Sequence, residues 1–156
     1  MYPHHDDACL PDTPIRTVTA RLGDAALCYL AGTLDFDTAR PARTALHRAM
    51  LLPCPVVCVD LRDVDFFACA GLNELLDCRA EALRTGRTLV LIAPSPPVLR
   101  LLLLSGTRHL FAVSRDVRLA LAAYRPNTPP RARERRTNTN GADPEGLTLV
   151  MLVKAR

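Results

Sequence analysis

Apolar and polar residues alternate along 15–22, with Ile15, Val18, Ala20 and Leu22 on the apolar beat, and a compact apolar run follows at 25–31. The Gly23-Asp24 pair between them carries turn chemistry, so the two runs predict a β-hairpin. Gly32 is expected to break the second strand. Asp35 or Asp37 is expected to cap a helix over 38–51, which puts Ala42, Ala45, Leu46, Ala49 and Met50 on one side. Pro41 falls in the first turn of that helix, where its missing N–H has no intrahelical partner to lose.

Pro53 and Pro55 close the helix, and VVCVDL at 56–61 has the look of a strand covered on both faces. A short connection containing Asp63 and Asp65 leads to a helix over 70–85. There Leu72, Leu75, Leu76, Ala80 and Leu83 recur at helical spacing and Gly86 is the stop. RTLVLIA at 87–93 repeats the buried-strand signature. Ser95 with Pro96 and Pro97 opens a helix to about residue 104, ended by Ser105-Gly106. Residues 109–113 predict a short extended piece, and Ser114 is expected to cap a last helix at 116–124 with Val117, Ala120, Leu121 and Tyr124 inward.

The order β-β-α-β-α-β-α-(β)-α predicts an α/β fold: a mostly parallel central sheet with right-handed crossovers, an antiparallel edge hairpin strand and about four helices. Three segments follow. Residues 1–14 are expected to be a flexible lead-in, 15–124 one folded domain, and 125–156 a mostly disordered basic tail, because Pro126, Pro129, Pro130 and TNTNGADPEG deny it apolar periodicity. Its end, LTLVMLV at 147–153, is apolar and strand-like; it could add to a sheet edge, meet a partner or aggregate.

Charge sharpens the division. The formal net charge is +4, yet residues 1–124 hold 13 basic and 13 acidic residues, while 125–156 hold 7 basic against 3 acidic. A neutral body is a poor platform for nucleic acid, whose affinity comes from clustered Lys and Arg. An aromatic share of 4% without Trp adds little stacking surface. The Arg131–Arg136 run could touch an acidic surface or anionic lipid, although solvated charge is the simpler reading. The six cysteines, at 9, 28, 54, 58, 69 and 78, form neither a CxxC pair nor a Cys/His array with zinc spacing. Cys28 and Cys58 lie in apolar runs as small hydrophobes, which suits a reducing cytoplasm, though an even count leaves disulfides formally open. No signal-peptide pattern opens the chain, and 98–104, interrupted by Arg100, falls far short of a membrane span. A soluble cytoplasmic protein is expected.

Catalytic patterns are missing from the sequence: no phosphate-cradling Gly-rich loop, no G-x-S-x-G, no H-E-x-x-H. His4, His5, His47 and His109 are scattered, and His4-His5 reads as a solvated terminus before it reads as a metal site. The expectation is a protein that is not an enzyme and uses no cofactor or metal.

Two stretches stand out: Gly32-Thr33-Leu34-Asp35 at one strand-to-helix passage, and Asp60-Leu61 through Phe66-Phe67-Ala68-Cys69-Ala70-Gly71-Leu72 at the next. Both leave the carboxyl ends of strands, where open α/β sheets put their working surface, so the two loops are expected side by side. They resemble the STAS family, which carries a G-x-L-D turn after its second strand and a D-L-x-x-V-x-F-x-D-S-S-G-L run into its second helix. This chain matches at Gly32, Leu34 and Asp35, then at Asp60, Leu61, Val64, Phe66, Gly71 and Leu72. The element order follows the family over about 15–124.

The resemblance implies an anti-sigma-factor antagonist that docks on a kinase-like anti-sigma factor and so regulates sigma-dependent transcription. Its partner-binding residues would be Thr33, Asp35, Cys69, Ala70, Gly71, Asn73 and Asp77, with Asp35, Asn73 and Asp77 rimming a shallow apolar surface. Where the family has D-S-S, this chain has Ala68-Cys69-Ala70. Cys69 holds the position of the family phosphoserine, whose phosphate places about two negative charges at the interface and releases the partner. The binding half of the cycle is implied, without the usual phosphorylation switch.

Alternatives stay open residue by residue. Asp35 suits a partner contact or a helix cap; Asp60 suits fixing the loop that follows; Phe66 and Phe67 read as core. Cys69 could be a thiolate redox sensor at a helix start, but a small packing residue explains it more simply, and a nucleophilic role lacks a nearby base. For the whole chain, the other reading is a STAS subunit or sensory module of a larger complex, such as a lipid transporter or stress-signalling assembly. A weak homo-oligomer is also possible.

Overall fold

The computed structural model describes residues 15–124. The expectations for 1–14 and 125–156, including His4, His5, Cys9, the tail arginines and the apolar end at 147–153, lie outside the described residues. The chain starts with the hairpin of β1 (Arg16–Leu22) and β2 (Ala25–Leu34) and continues through α1 (Ala39–Leu51), β3 (Val56–Phe67), α2 (Cys69–Arg84) and β4 (Thr88–Ile92). It ends with α3 (Pro96–Leu104), a 3-10 turn at Arg108–Leu110, β5 (Ala112–Ser114) and α4 (Val117–Ala123). The strands lie in sequence order, β1-β2-β3-β4-β5, in one five-stranded sheet. Only β1 and β2 pair antiparallel; the other pairs are parallel. This is the expected architecture, and local alternation and crossover handedness suffice to explain it.

Each face of the sheet carries apolar cover. On one side Leu30, Val57, Val59, Leu61 and Leu91 pack with residues of α1, α2 and α3. On the other, Ala25, Val56, Cys58, Val90 and Ile92 meet α4 through Ala120. That two-sided burial is why β3 and β4 read as continuous apolar runs. Val117, Leu121 and Tyr124 pack against the second cluster as expected.

Several local expectations are corrected. Gly32 does not break β2. It takes a left-handed φ of 96° inside the strand, beside register shifts between Tyr29 and Ala31 and between Gly32 and Thr33. A glycine in that conformation bends a strand at a bulge without ending it. The supposed connection holding Asp63 and Asp65 is likewise strand, because the bent end of β2 runs on beside it. Asp60 therefore sits mid-strand and does not close one. Residues 109–113 begin as a 3-10 turn, and the cap of the last helix is Asp116, which accepts from the Leu119 N–H at 2.8 Å, not Ser114.

In α2 the inward face is Gly71, Leu72, Glu74, Leu75, Cys78 and Ala82. Leu76 is half-buried, while Ala80 and Leu83 are exposed. Small residues at 71, 78 and 82 let the helix approach the sheet closely, and hydrophobicity alone does not distinguish a small inward residue from a large outward one.

Candidate functional site

The extended ends of β2 and β3 bring the two singled-out loops together. Thr33 pairs with Phe66 and Leu34 with Phe67, and the Ala68 N–H donates to the Leu34 carbonyl at 2.8 Å. Leu34, Val64 and Phe67 are buried beneath them. Each such side chain contributes about 1.5–3 kcal/mol, enough to hold the tips in register. Ser95 adds a tie, donating from Oγ to the Val64 carbonyl at 2.7 Å.

The first loop is pinned by its own polar groups. Asp35 Oδ1 accepts from the backbone N–H of Asp37 at 3.0 Å and of Thr38 at 3.1 Å. The Thr38 hydroxyl donates to the Thr33 carbonyl at 2.7 Å. Neither Asp35 nor Asp37 caps α1: the N-cap is Thr38, with no side-chain cap bond. Asp35 caps the preceding turn, as aspartates do two and three residues ahead of them. With that loop clamped, Phe36 stands at its crown, 86% exposed.

The second loop enters α2 at Cys69, which is exposed. Ala68 occupies the N-cap and offers no side-chain oxygen. Phe66 points outward at 54% exposure, whereas Phe67 is core, so the expectation that both are core holds only for Phe67. The bulge in β2 puts neighbouring β3 residues out of simple alternation, and no sequence signal announces which phenylalanine turns out.

Between α1 and α2 lies an open cleft. Its upper part, about 860 Å³, is lined by Phe36, Arg40, Ala70, Asn73, Leu76 and Asp77 among others. A smaller recess of about 330 Å³ continues it past Leu46, His47, Met50 and Glu81. Arg43, Glu74 and Asp77 line both. A bidentate ion pair bridges the helices: Arg43 Nε donates to Glu74 Oε2 at 2.8 Å and Nη2 to Oε1 at 2.6 Å. Glu74 is only 4% exposed, and this pairing removes the cost of an isolated buried charge. It also holds the Arg43 guanidinium more firmly protonated than usual, chiefly through the hydrogen bond to Glu74.

Of the residues singled out from sequence, Ala70, Asn73 and Asp77 line the cleft and Cys69 is exposed at its upper end. Thr33 is half-buried and contributes its carbonyl to the loop. Asp35 does not line the cleft, because its carboxylate is turned into its own turn. Gly71 is buried, and the space where a Cβ would go is taken by Leu34 and Phe67, so it supports the surface without forming part of it. Phe36, Phe66 and the Arg43–Glu74 pair were not foreseen. A phenylalanine flanked by Asp35 and Asp37 right after a strand is the one hint the sequence offered, since neither neighbour can be buried with it.

Elsewhere, Asp60 accepts from the Arg62 N–H at 3.2 Å and from Arg62 Nε at 3.0 Å, on the α4 face of the sheet. The Tyr29 hydroxyl donates to Asp63 Oδ2 at 2.8 Å, which raises the Tyr29 pKa. Burial pushes the Cys28 thiol up to about 12 and the Cys58 and Cys78 thiols to about 11. Among the described residues no group of three or more His, Cys, Asp or Glu is placed to hold a metal ion. None of their helices is long and apolar enough to cross a membrane.

These features define a small mixed-sheet α/β domain whose distinguishing surface is a pair of clamped loops beside a helix-lined cleft. The chain belongs to the STAS family: the family model described as Mlab, STAS domain, matches residues 18–113. Among solved structures, an anti-sigma-factor antagonist from Mycobacterium paratuberculosis superposes with a TM-score of 0.63 at 24% identity, over 70% of this chain and 92% of its own. An anti-sigma-factor antagonist (STAS) domain protein from Planctomyces limnophilus gives 0.59 at 15% identity, over 69% and 96%. The Bacillus cell fate determinant SpoIIAA in its phosphorylated form gives 0.55 at 16%, over 70% and 100%. At such identities the likeness establishes the fold. No curated protein matches the chain by sequence.

Proposed function

We propose that this chain is an anti-sigma-factor antagonist, acting in the cytoplasm by docking on a kinase-like anti-sigma factor and freeing its sigma factor, with no catalysis of its own. The observation that carries the reading is the clamped pair of strand tips, Thr33 beside Phe66 and Leu34 beside Phe67, beside which Phe36 and Cys69 stand exposed. Rigid aromatic side chains on a preorganised loop are what a protein interface uses as anchors. The names of the structural neighbours point the same way.

At the phosphoserine position of the family, Cys69 offers no hydroxyl, so docking proceeds without phosphorylation at that site. Thr33, Ala70, Asn73 and Asp77 are the remaining contacts, with Asp35 and Gly71 acting indirectly by holding the loop and the helix.

The test is a calorimetric titration of the full chain against each anti-sigma factor encoded in the same genome. One should bind, and Cys69→Glu, which places a carboxylate where the family carries phosphate, should weaken it by about tenfold or more, roughly 1.4 kcal/mol. Phe36→Ala should do at least as much harm. Unchanged affinity in both variants would refute this surface.

The matching family model is not one named for antagonists, and on that observation a second reading stands: a STAS subunit of a larger assembly such as a lipid transporter or stress-signalling complex. Co-purification of a kinase-like ATP-binding protein supports the first reading; co-purification of a transporter ATPase supports the second.

A further inference from the structure

The cleft between α1 and α2 is charged differently on its two walls. Along α1, over Ala39–Leu51, every ionisable side chain is basic or histidine: Arg40, Arg43, His47 and Arg48. The α2 wall carries Glu74, Asp77 and Glu81, of which Glu74 is paired with Arg43 and Glu81 with Arg84, leaving Asp77 as its unpaired anion among the described residues. Arg79 Nε donates to the Leu110 carbonyl at 2.6 Å, and Arg84 pairs with Glu81 within the helix. Apolar side chains lie along the cleft itself, from Phe36 and Leu76 at the top to Leu46 and Met50 lower down. The opposed walls already feel one another: Arg43 is held charged by Glu74 and, more weakly, by Asp77.

Arg43 and Glu74 satisfy each other across the middle of this cleft, whereas the Arg40 and Asp77 side chains make no hydrogen bond or salt bridge among the described residues. An incoming segment therefore meets a cation on one side, an anion on the other and apolar surface in between. From Ala70 to Glu81 the α2 wall runs for about 16 Å at 1.5 Å per residue, the length of three helical turns. An α-helix of that length can present an apolar stripe with different charges on its two flanks, while an extended strand alternates between two faces and cannot.

We infer that the partner recognised by this domain inserts an amphipathic helix into the α1–α2 cleft, with an acidic flank along α1, a basic flank along α2 and an apolar stripe facing the floor. The inference rests on the reading of this surface as a partner-docking face, and it names the chemistry of what docks. The attraction is short-ranged and falls with salt, so it selects the orientation and the partner more than it sets raw affinity.

Three synthetic helical peptides of about 14 residues test it, long enough to cover three turns with capped ends. All share one leucine stripe; one carries Glu on one flank and Lys on the other, one carries Glu on both, and one Lys on both. Each is titrated into the full-length, isotope-labelled chain and followed by amide chemical shifts and calorimetry. The split-charge peptide should bind about tenfold tighter than either uniform one, with shifts confined to α1 and α2. Arg40→Glu should make the Lys-flanked peptide the preferred ligand, and Asp77→Lys the Glu-flanked one. Both positions are exposed and leave the Arg43–Glu74 pair intact, so unchanged melting temperatures certify the fold.

Equal affinity for the three peptides, binding by none, or shifts centred outside the two helices would overturn the inference. The two readings fail separately. An anti-sigma factor that binds while the peptides do not leaves antagonism standing and removes the helix-in-cleft mode; peptides that discriminate while no anti-sigma factor binds remove antagonism and keep the cleft.

Discussion

Gly71 shows how one residue ties both loops together. A Cβ built there would lie 2.8 Å from Leu34 Cδ2 and 2.8 Å from Phe67 Cε2, closer than carbon atoms tolerate, and both neighbours are core. Gly71→Ala must push α2 away from the strand tips, and overpacking of this kind costs about 1–3 kcal/mol. In urea the unfolding midpoint should fall at an unchanged slope; a wild-type midpoint would mean that the helix can slide freely. The sequence marked Gly71 through its match to a family motif, but assigned it to the docking surface, because a motif records which residues recur and not which way they face. Asp35 is the same lesson in a polar residue. Its position was legible, and its use as the clamp of a turn depended on where the Asp37 and Thr38 amides point. Phe36 escaped notice because a lone aromatic between two aspartates satisfies no periodic pattern.

At the scale of elements, α2 starts without help. Its N-cap, Ala68, has extended dihedrals of φ −106° and ψ 173° and no side-chain acceptor, so the first amides of the helix lack the oxygen that Asp or Ser would supply. The related motif has Asp at this point. Ala68→Asp should therefore stabilise the fold by about 1 kcal/mol, from the cap bond and the favourable charge at a helix start. Thermal and urea unfolding would check it, and a loss of stability would show that the cap geometry does not admit the carboxylate. The element types along 15–124 were legible because their apolar periods differ cleanly. Boundaries were less so: β2 and β3 run past their apparent ends since each supplies the other with hydrogen bonds there, and such mutual extension is a property of the pair, invisible in either segment alone. The face of α2 was misjudged for a related reason, its small residues being inward.

For the molecule as a whole, the buried thiols couple stability to pH. Cys28, Cys58 and Cys78 titrate at about 12, 11 and 11 in the folded chain against an ordinary 9.0, because burial disfavours the thiolate. Above pH 9 the unfolded chain releases these protons and the native chain keeps them, so the stabilising contribution is complete below pH 9 and is lost as pH rises toward 11–12. Each thiol contributes a slope of about 1.4 kcal/mol per pH unit in that window. The raised Tyr29 pKa acts in the same direction. Urea midpoints should therefore hold steady up to pH 9 and drop beyond it, and in the native state alkylation should reach Cys69, exposed, before any of these three. Rapid native labelling of Cys28 would contradict the packing described.

By itself the sequence determined the element types, the order that makes a mostly parallel sheet with an antiparallel edge, and the family motif at the two strand-to-helix passages. These follow from periodicity, turn chemistry and local spacing, all written within a few residues of one another. Only the tertiary structure decided that Gly32 bends a strand it was expected to end, that Phe66 faces out while Phe67 faces in, and that a basic wall on α1 stands opposite an acidic wall on α2. The reason is that each of these depends on residues 30 or so positions apart coming within bonding distance, as Arg43 and Glu74 do, and no local rule reads such a pairing from one strand of text.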